Sequence, residues 1–294
     1  MKSQPLRVAI LGAGYIGTDL LIKIQRSLHL QCVLVVGRNQ VSAGLRRALK
    51  MGYSITDGGI AALVDQSHTF DLVFDATDAH SHQEHWNQLK PLGKVMINLT
   101  PSRSGHMIAP SINGDEILNH ANISLISCGG QASVPIVNAL SGLFPSIPYI
   151  EVVTTAASPS VGRGTRLNLD EYIEITEIAI STFSKASQVK AIVNLSPAKP
   201  PPIFRVAISM MTDEADPTTV KAAVRKAAAQ VVTFVPGYHI TACEVFKSGQ
   251  VFVAVEVQGR GDYLPSYAGN LDIINAAAIM VAERYATRAA ASCQ

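Results

Sequence analysis

A cysteine in a glycine-rich segment is the clearest reactive group of the sequence. Cys128 lies in Ser127-Cys128-Gly129-Gly130-Gln131-Ala132, after an apolar, strand-like stretch and before Val134-Pro135-Ile136-Val137, which indicates the start of a helix. A thiol at such a turn lies beside backbone N–H groups and the positive end of a helix dipole, which favour the thiolate. We predict that Cys128 is a nucleophile. Its chemistry would be thiohemiacetal formation with an aldehyde, hydride transfer, and release of the thioester to an acyl acceptor.

The other cysteines are interpreted as packing residues. The four cysteines stand at positions 32, 128, 243 and 293, without the paired spacing of a disulfide framework or a zinc site. Cys32 lies inside a predicted strand, and Cys32, Cys243 and Cys293 are each expected to act as a small apolar residue. This cysteine usage is typical of a reducing cytoplasm.

A dinucleotide fingerprint stands near the start of the chain. Its glycines follow a predicted strand and open a predicted helix, so that phosphates would meet free N–H groups at the helix start. Gly12 would allow the tight turn, Gly14 the approach of the pyrophosphate, and Gly17 close packing of helix and strand. The predicted cofactor-binding residues here are Gly12, Ala13, Gly14, Tyr15, Ile16 and Gly17.

The segment after the second predicted strand bears on the choice of cofactor. Gly37-Arg38-Asn39-Gln40 carries no carboxylate to repel a 2′-phosphate, and Arg38 is placed to pair with one. Arg38 and Asn39 therefore favour NADP(H) weakly over NAD(H). A solvated surface arginine is the alternative interpretation of Arg38.

A second loop and a later asparagine are further candidates. Glycines, hydroxyls and two arginines precede a helix near position 169, a composition that suits the anionic part of a cofactor or thioester carrier. Asn270 would either cap the last helix or reach a nicotinamide amide. The loop candidates are Ser160, Val161, Gly162, Arg163, Gly164, Thr165, Arg166, Leu167 and Asn168.

Three histidines suggest a metal only weakly. His80, His82 and His85 are close together on a predicted helix, but no carboxylate–cysteine cluster accompanies them. We interpret them as a polar helix face and predict no metal site.

The order of predicted elements indicates an α/β protein. Short apolar strands at 6–11, 31–36, 71–75, 94–99 and 123–127 alternate with helical segments at 41–51, 58–66 and elsewhere, which favours a doubly wound parallel sheet. Later come strands at 149–157, 189–195, 203–211 and 250–258, of which the last two suit an antiparallel sheet, and a helix over 169–184. We therefore predict a dinucleotide-binding Rossmann domain over 1–128, joined by a last helix over 271–294, and an α+β substrate and dimerisation domain over 129–270.

Composition limits the classes of function. The 294 residues allow two domains, and 48% hydrophobic against 16% charged residues describes a globular protein. A net charge of +2 offers no footprint for nucleic acid or an anionic membrane, and no apolar run approaches membrane-spanning length. A cytoplasmic protein acting on a small molecule is expected.

The motifs, taken together, resemble one enzyme family. The chain is similar almost end to end to the acylating acetaldehyde dehydrogenases of bacterial meta-cleavage pathways, which convert acetaldehyde, NAD⁺ and coenzyme A to acetyl-CoA. The resemblance is carried by matching residues within 12–20, 74–77, 98–101, 128–132, 164–171 and 263–273.

The resemblance implies roles for particular residues. Cys128 would carry the acyl thioester, and residues 13–16, 160–168 and Asn270 would contact the dinucleotide. It also implies a fold like that of glyceraldehyde-3-phosphate dehydrogenase, a homodimer, coenzyme A as co-substrate, and a 4-hydroxy-2-oxovalerate aldolase-like partner that delivers the aldehyde.

Three positions depart from the family pattern. Asn39 stands where the family has an acidic residue, and Val206 replaces the aspartate proposed as base toward the cysteine. Losing a positioned base typically costs about 10²–10⁴-fold in rate, although a lowered thiol pKa partly replaces it. The stretch around 247–250 is also shorter than in the family.

These departures leave other functions open. The chain would serve instead as an NADPH-dependent acyl-thioester reductase in biosynthesis, or as a non-catalytic relative that binds an aldolase. A phosphorylating semialdehyde dehydrogenase shares the architecture, but it needs a histidine base and phosphate-binding arginines, and its cysteine context differs.

Overall fold

The computed structural model describes residues 4–213 and 215–292, with side chains described up to residue 288. Cys293, predicted to be a packing residue, lies outside this part of the chain. The chain forms two compact units. The first contains the residues up to Leu125 and those from Asn275 onward, and the second spans Ile126–Ile274.

The first unit is built on a parallel sheet with helices between its strands. Seven strands described here pair in the order β3-β2-β1-β4-β5-β7-β6, and every pair is parallel. The strands are β1 Leu6–Leu11, β2 Leu30–Val36, β3 Ile55–Thr56, β4 Leu72–Asp75, β5 Val95–Asn98, β6 His106–Met107 and β7 Asn122–Ser124. The helices are α1 Tyr15–Ile24, α2 Ala43–Lys50, α3 Gly59–Asp65, α4 Ala79–Leu89 and α5 Pro110–Asn113. The predicted doubly wound Rossmann sheet is confirmed.

The central strands of this sheet are buried on both faces, which explains why their sequences are mostly apolar. All four residues of β4 and all four of β5 are buried. Val36, Phe70, Val73 and Met96 belong to the apolar cluster that packs against the sheet. The sheet is therefore a rigid base for the turns that follow its strands.

The second unit combines a mixed sheet with helices. Its strands pair in the order β11-β12-β10-β8-β9. The strands are β8 Tyr149–Ala157, β9 Gln188–Ser196, β10 Phe204–Met211, β11 Tyr238–Val245 and β12 Gln250–Val257. The helices are α6 Cys128–Ser141, α7 Arg163–Leu167, α8 Leu169–Ser184 and α9 Pro217–Val232. The predicted antiparallel pairing of the strands near 203–211 and 250–258 is confirmed.

Side chains along β8, β10 and β12 largely alternate between buried positions and half-buried or exposed ones. One face of the sheet is thus covered, and the other, which we call the open face, carries Val153, Ala207, Phe252 and Ala254 among its half-buried residues.

The last helix, α10 Gly269–Ser292, contributes its residues from Asn275 onward to the first unit. The side-chain amide of Asn275 donates to the carbonyl oxygen of Ile16 (3.1 Å) and to the carboxylate of Asp19 (2.7 Å). Among the helices described, none is long and apolar enough to cross a membrane.

Several boundaries differ from the prediction. Helix α6 begins at Cys128, six residues before the predicted start, because Pro135 is tolerated inside the helix. The helix that follows the fingerprint was expected to run to about Leu28, but α1 ends at Ile24. No element was predicted for Pro217–Val232 or Tyr238–Val245, which form α9 and β11.

Candidate active site

The start of α6 holds Cys128 at the first helical position. The side chain of Ser127 caps the helix by accepting the N–H of Gly130 at 2.9 Å. The Ser127 hydroxyl also bonds to the hydroxyl of Thr176 at 2.6 Å. Because Thr176 lies on α8, this hydrogen bond holds α8 against the start of α6.

The thiol of Cys128 contacts one side chain of α8. The sulfur lies 3.2 Å from the hydroxyl oxygen of Tyr172, which also accepts the N–H of Gly129 at 2.8 Å. Thr154 on β8 is a further hydrogen-bond partner of the same hydroxyl. A Cβ at Gly129 would stand 2.6 Å from the Tyr172 oxygen, so this position requires glycine.

The protonation of Cys128 differs from the expectation. Burial raises the pKa of the Cys128 thiol to about 11, and it outweighs the hydrogen bonds with Tyr172 and with backbone N–H groups. The backbone N–H groups at the helix start lower this pKa as predicted, but burial outweighs them, so the expected net lowering is wrong. The residue as a whole is half-buried, although the surroundings of its thiol disfavour the charge.

Cys32 has the buried packing position that was expected of it, whereas Cys243 is only half-buried. Cys32 is 7% exposed, and burial raises the pKa of its thiol to about 12. Burial likewise raises the pKa of the half-buried Cys243. Neither has the hydroxyl partner that distinguishes Cys128.

Val206 brings no charge to this region. It is 1% exposed and lies in β10 directly opposite Thr154 of β8, so the two side chains share the covered face of the sheet. Thr154 contacts Tyr172, but the apolar Val206 can neither accept nor donate a proton. The polar contacts of the Cys128 thiol therefore come from Tyr172 and backbone N–H groups.

The fingerprint has the geometry that its glycines require. Gly12 has a φ of +108°, and a Cβ there would stand 2.5 Å from the carbonyl oxygen of Ala76. A Cβ on Gly17 would collide with the carbonyl oxygen of Gly12. In front of Gly14 nothing lies within 4 Å of an added Cβ, which leaves open space beside the backbone. Helix α1 begins after Gly14 without a side-chain cap, so its first N–H groups suit a pyrophosphate.

Two histidines and an aspartate support this turn from behind. His82 and His85 each place Nδ1 within hydrogen-bond distance of the same oxygen of Asp75, at 3.0 and 3.1 Å. Burial opposes ionisation, but the two histidines hold the pKa of Asp75 below its usual range. Both histidines are buried, so the interpretation as a polar face is wrong for them. The second oxygen of Asp75 accepts the N–H and hydroxyl of Thr77, which fixes the turn behind Gly12.

The segment after β2 makes polar contacts that its sequence did not indicate. Arg38 and Asn39 are exposed, and the Asn39 side chain accepts the N–H of Val41 at 3.0 Å. Gln40 donates to the carboxylate of Asp57 at 3.2 Å. A negative charge from a later turn thus lies beside a segment that was predicted to carry none.

The segment from 160 to 168, which was predicted to be a loop, contains the short helix α7 and is held by its own polar groups. Arg166 donates to the carbonyl oxygens of Val161 (3.0 Å) and Ser158 (2.7 Å), and the amide of Asn168 donates to the carbonyl oxygen of Gly164. Arg166 is thus engaged in the loop itself. Of the nine candidates, Ser160, Val161 and Asn168 are buried, whereas Arg163, Arg166 and Leu167 are exposed.

Asn270 connects to this loop. Its amide nitrogen donates to the carbonyl oxygen of Ser160 at 3.1 Å, and its buried Oδ1 has no hydrogen-bond partner among the described residues. Helix α10 begins at Gly269, so Asn270 lies within the first turn and does not precede it. An unsatisfied buried acceptor fits the N–H of a nicotinamide carboxamide.

Sequence reasoning missed three of these groups. Tyr172, Thr154 and Asp57 are far along the chain from the motifs they contact, and each belongs to an ordinary amphipathic element or turn. No spacing rule links residues 129, 154 and 172, so only the packed structure brings them together.

A Rossmann unit with an open fingerprint, followed by an α+β unit, is typical of an NAD-dependent dehydrogenase. A family model described as semialdehyde dehydrogenase, NAD binding domain, matches residues 7–120. A second, described as prokaryotic acetaldehyde dehydrogenase, dimerisation, matches residues 128–265.

Whole-length relatives agree with the family models. An acetaldehyde dehydrogenase of Streptomyces griseus subsp. griseus is 52% identical over 96% of this chain and 90% of its own length. Relatives with the same description in Pectobacterium atrosepticum (47% identical, 96% of each chain) and Spirochaeta aurantia (43% identical, 98% of this chain and 97% of its own) are also similar. The chain belongs to the acetaldehyde dehydrogenase family. It is an oxidoreductase, and its first unit is an NAD(H)-binding domain.

Proposed function

We propose that the protein is an acylating acetaldehyde dehydrogenase that converts a short aldehyde, NAD⁺ and coenzyme A to an acyl-CoA and NADH. The observation that carries the proposal is Cys128 at the start of α6, part-exposed and hydrogen-bonded to Tyr172. The full-length similarity to acetaldehyde dehydrogenases supports the substrate.

Cys128 forms and releases the covalent bond. Its thiol proton passes to solvent as the sulfur attacks the aldehyde carbon, the aldehyde oxygen takes up a proton, and a thiohemiacetal results. NAD⁺ held by the fingerprint residues would supply the oxidation: the carbon would lose its hydride to the cofactor and its hydroxyl proton to solvent, which would leave a thioester on Cys128. The sulfur of coenzyme A then bonds to the acyl carbon, its proton passes to solvent, and the Cys128 sulfur leaves with the bonding electron pair.

The fingerprint residues Gly12, Ala13, Gly14, Tyr15, Ile16 and Gly17 hold the dinucleotide. Their support comes from the open space at Gly14 and the uncapped start of α1. Asn270 Oδ1 accepts the carboxamide N–H of the nicotinamide, and the loop 160–168, which Asn270 ties down through Ser160, shapes the same site.

The cofactor choice depends on two opposing charges. Arg38 attracts a 2′-phosphate, whereas Asp57, which reaches Gln40, repels it. We propose that NAD(H) is used and that NADP(H) is accepted through Arg38, with Asp57 limiting the preference for the phosphorylated cofactor.

A second copy of the chain covers the open face of the second unit. The match of residues 128–265 to a dimerisation family and the half-buried Val153, Ala207, Phe252 and Ala254 support a homodimer. The variant Phe252→Arg is expected to sediment as a monomer, whereas the exposed-loop variant Lys247→Ala keeps the wild-type mass.

The sequence resemblance supports a further partner, a 4-hydroxy-2-oxovalerate aldolase-like protein in the cytoplasm. Co-purification of an aldolase with the tagged protein tests this proposal.

The experiment that tests the activity follows NADH absorbance with acetaldehyde, coenzyme A and NAD⁺. NADP⁺ runs in parallel, and the reverse reaction is followed with acetyl-CoA and NADH. Activity in the wild type that disappears in Cys128→Ala is the expected result. No turnover in any mixture, with NAD⁺ binding intact, would contradict the proposal.

A further inference from the structure

The hydroxyl of Tyr172 has three partners in the described structure. It accepts the N–H of Gly129 at 2.8 Å, it bonds to Thr154, and it lies 3.2 Å from the sulfur of Cys128. Tyr172 is 5% exposed, so bulk water does not compete at this position. A phenol oxygen has one proton to give, and the direction in which it points decides what the hydroxyl does for the thiol.

The chemistry of the partners decides that direction. The Gly129 nitrogen is a donor only, so the phenol oxygen accepts there. Thr154 is a further hydrogen-bond partner of the phenol oxygen. A thiolate sulfur carries no proton and can only accept, so when Cys128 is a thiolate the 3.2 Å contact is a hydrogen bond that the phenol donates.

The tyrosine keeps this proton during the reaction. Burial, and next the neighbouring sulfur, raise the pKa of Tyr172 well above its usual value, whereas the pKa of Cys128 rises to about 11. The phenol is therefore a hydrogen-bond donor to a thiolate and not a base that removes the thiol proton. No base is needed to deprotonate Cys128 when the thioester is released, because the Cys128 sulfur leaves as a thiolate with the bonding electron pair.

We propose that Tyr172 is a catalytic residue that donates its hydroxyl hydrogen bond to the Cys128 sulfur, stabilising the thiolate as nucleophile and as leaving group at a site whose neighbouring strand position carries Val206. This inference deepens the proposed function and rests on it for the two chemical steps. The hydrogen bond to the thiolate does not depend on turnover and can be measured alone.

Gly129 and Thr154 position the phenol. The N–H of Gly129 and the hydroxyl of Thr154 both lie against the hydroxyl oxygen of Tyr172. An added Cβ on Gly129 would clash with the side-chain oxygens of Thr154 and Tyr172. Ser127 and Thr176 hold α8 one turn further along, because Thr176 donates to the carbonyl oxygen of Tyr172 at 2.6 Å. The arrangement is thus fixed before substrate arrives.

The test measures the rate at which iodoacetamide alkylates Cys128, followed peptide by peptide in a mass spectrometer across a range of pH. In Tyr172→Phe, which keeps the ring and removes the donor, the rate at a fixed pH below the thiol pKa is expected to fall roughly three- to tenfold. The curve of rate against pH is expected to move to higher pH, because the thiolate has lost its donor.

Tyr238→Phe is the matched control. Tyr238 is also buried, and its hydroxyl donates to the carbonyl oxygen of Ala132 on the same helix at 2.7 Å, away from the sulfur. Equal alkylation curves for Tyr172→Phe and Tyr238→Phe would overturn the inference. Thr154→Val provides a second test if Tyr172→Phe does not fold: a slower reaction is expected, and an unchanged rate contradicts the proposal.

The two proposals fail differently. If the wild type turns over acetaldehyde while the alkylation curve of Tyr172→Phe stays at the wild-type position, the role of Tyr172 is wrong and the dehydrogenase function stands. If the curve moves as expected and no aldehyde is oxidised by the wild type, the hydrogen bond stands and the proposed function fails.

Discussion

Two glycine-containing turns of this protein each follow a strand and open a helix. They differ in whether side chains cap the backbone N–H groups at the start of the helix. At the start of α1, no side chain caps the helix and the space in front of Gly14 is open. At the start of α6, Ser127 accepts the N–H of Gly130 and Tyr172 accepts the N–H of Gly129.

The difference separates a binding site from a reaction site. The start of α1 has no side-chain cap, and the open space in front of Gly14 leaves room for an anion to approach the backbone. At α6 side chains of the protein accept the N–H groups of Gly129 and Gly130, and the sulfur of Cys128 lies beside the hydroxyl of Tyr172. A helix N-terminus alone therefore does not make a thiolate, as the raised pKa of Cys128 shows.

The largest effect on activity is expected from removing the sulfur of Cys128. We expect Cys128→Ser to lower kcat on the order of 10⁴-fold or more, because a serine hydroxyl without a base is a poor nucleophile. NAD⁺ affinity, measured by fluorescence titration, is expected to stay at the wild-type value, since the α1 turn is untouched.

Cys243→Ser is the control for general effects of cysteine loss. Cys243 is a half-buried strand residue and lacks a role in the proposed chemistry. A similar loss of activity in both variants would mean that Cys128 is not the nucleophile.

Adding one methyl group to each turn sharpens the comparison. Gly14→Ala places a Cβ in open space, where it obstructs the pyrophosphate, so KM for NAD⁺ is expected to rise roughly tenfold with the melting temperature unchanged. Gly129→Ala pushes against Tyr172 and Thr154, so kcat and Cys128 alkylation are expected to fall while KM for NAD⁺ is retained.

The two profiles are measured by steady-state kinetics in NAD⁺ and by thermal unfolding. If Gly14→Ala lowers kcat and Gly129→Ala raises KM for NAD⁺, the assignment of one turn to binding and the other to reaction is reversed.

The sequence was informative where a motif is contiguous. The fingerprint at 12–17 and the cysteine at 128 could be located because backbone requirements are written into neighbouring residues. The start of α6 was placed too late because Pro135 was interpreted as a helix start, although it lies inside the helix. Local patterns thus predicted the Rossmann unit well and the helix limits less well.

Contacts between distant segments escaped prediction. Tyr172 reaches Cys128 across 44 residues and Asp75 meets two histidines of the next helix inside the core, where side chains of any sequence separation can become neighbours. The thiol pKa was misjudged for the same reason, since desolvation depends on packing that a turn motif does not describe.

The cap of α6 gives a smaller effect that tests the self-satisfied helix start. Ser127→Ala removes the acceptor for the Gly130 N–H and the partner of Thr176, so the free energy of unfolding is expected to fall by about 1–2 kcal/mol. Urea unfolding measures the loss. Ser42→Ala, at the cap of α2, is a matched variant in the first unit, with a longer cap bond of 3.3 Å and a smaller expected loss.

The smallest expected effects concern the adenosine end of the α1 site, where the open turn is joined by charges of both signs. Arg38→Ala is expected to lower kcat/KM for NADP⁺ relative to NAD⁺ by roughly two- to fivefold, since an exposed ion pair contributes less than about 1 kcal/mol. Asp57→Asn is expected to shift the same ratio in the opposite direction, because it removes the negative charge beside Gln40 without changing the side chain's size. Added salt is expected to shrink both shifts. Ratios that move together in the two variants would show that neither charge acts on the 2′-phosphate, and would leave the backbone N–H groups of α1 as the determinant of binding at this turn.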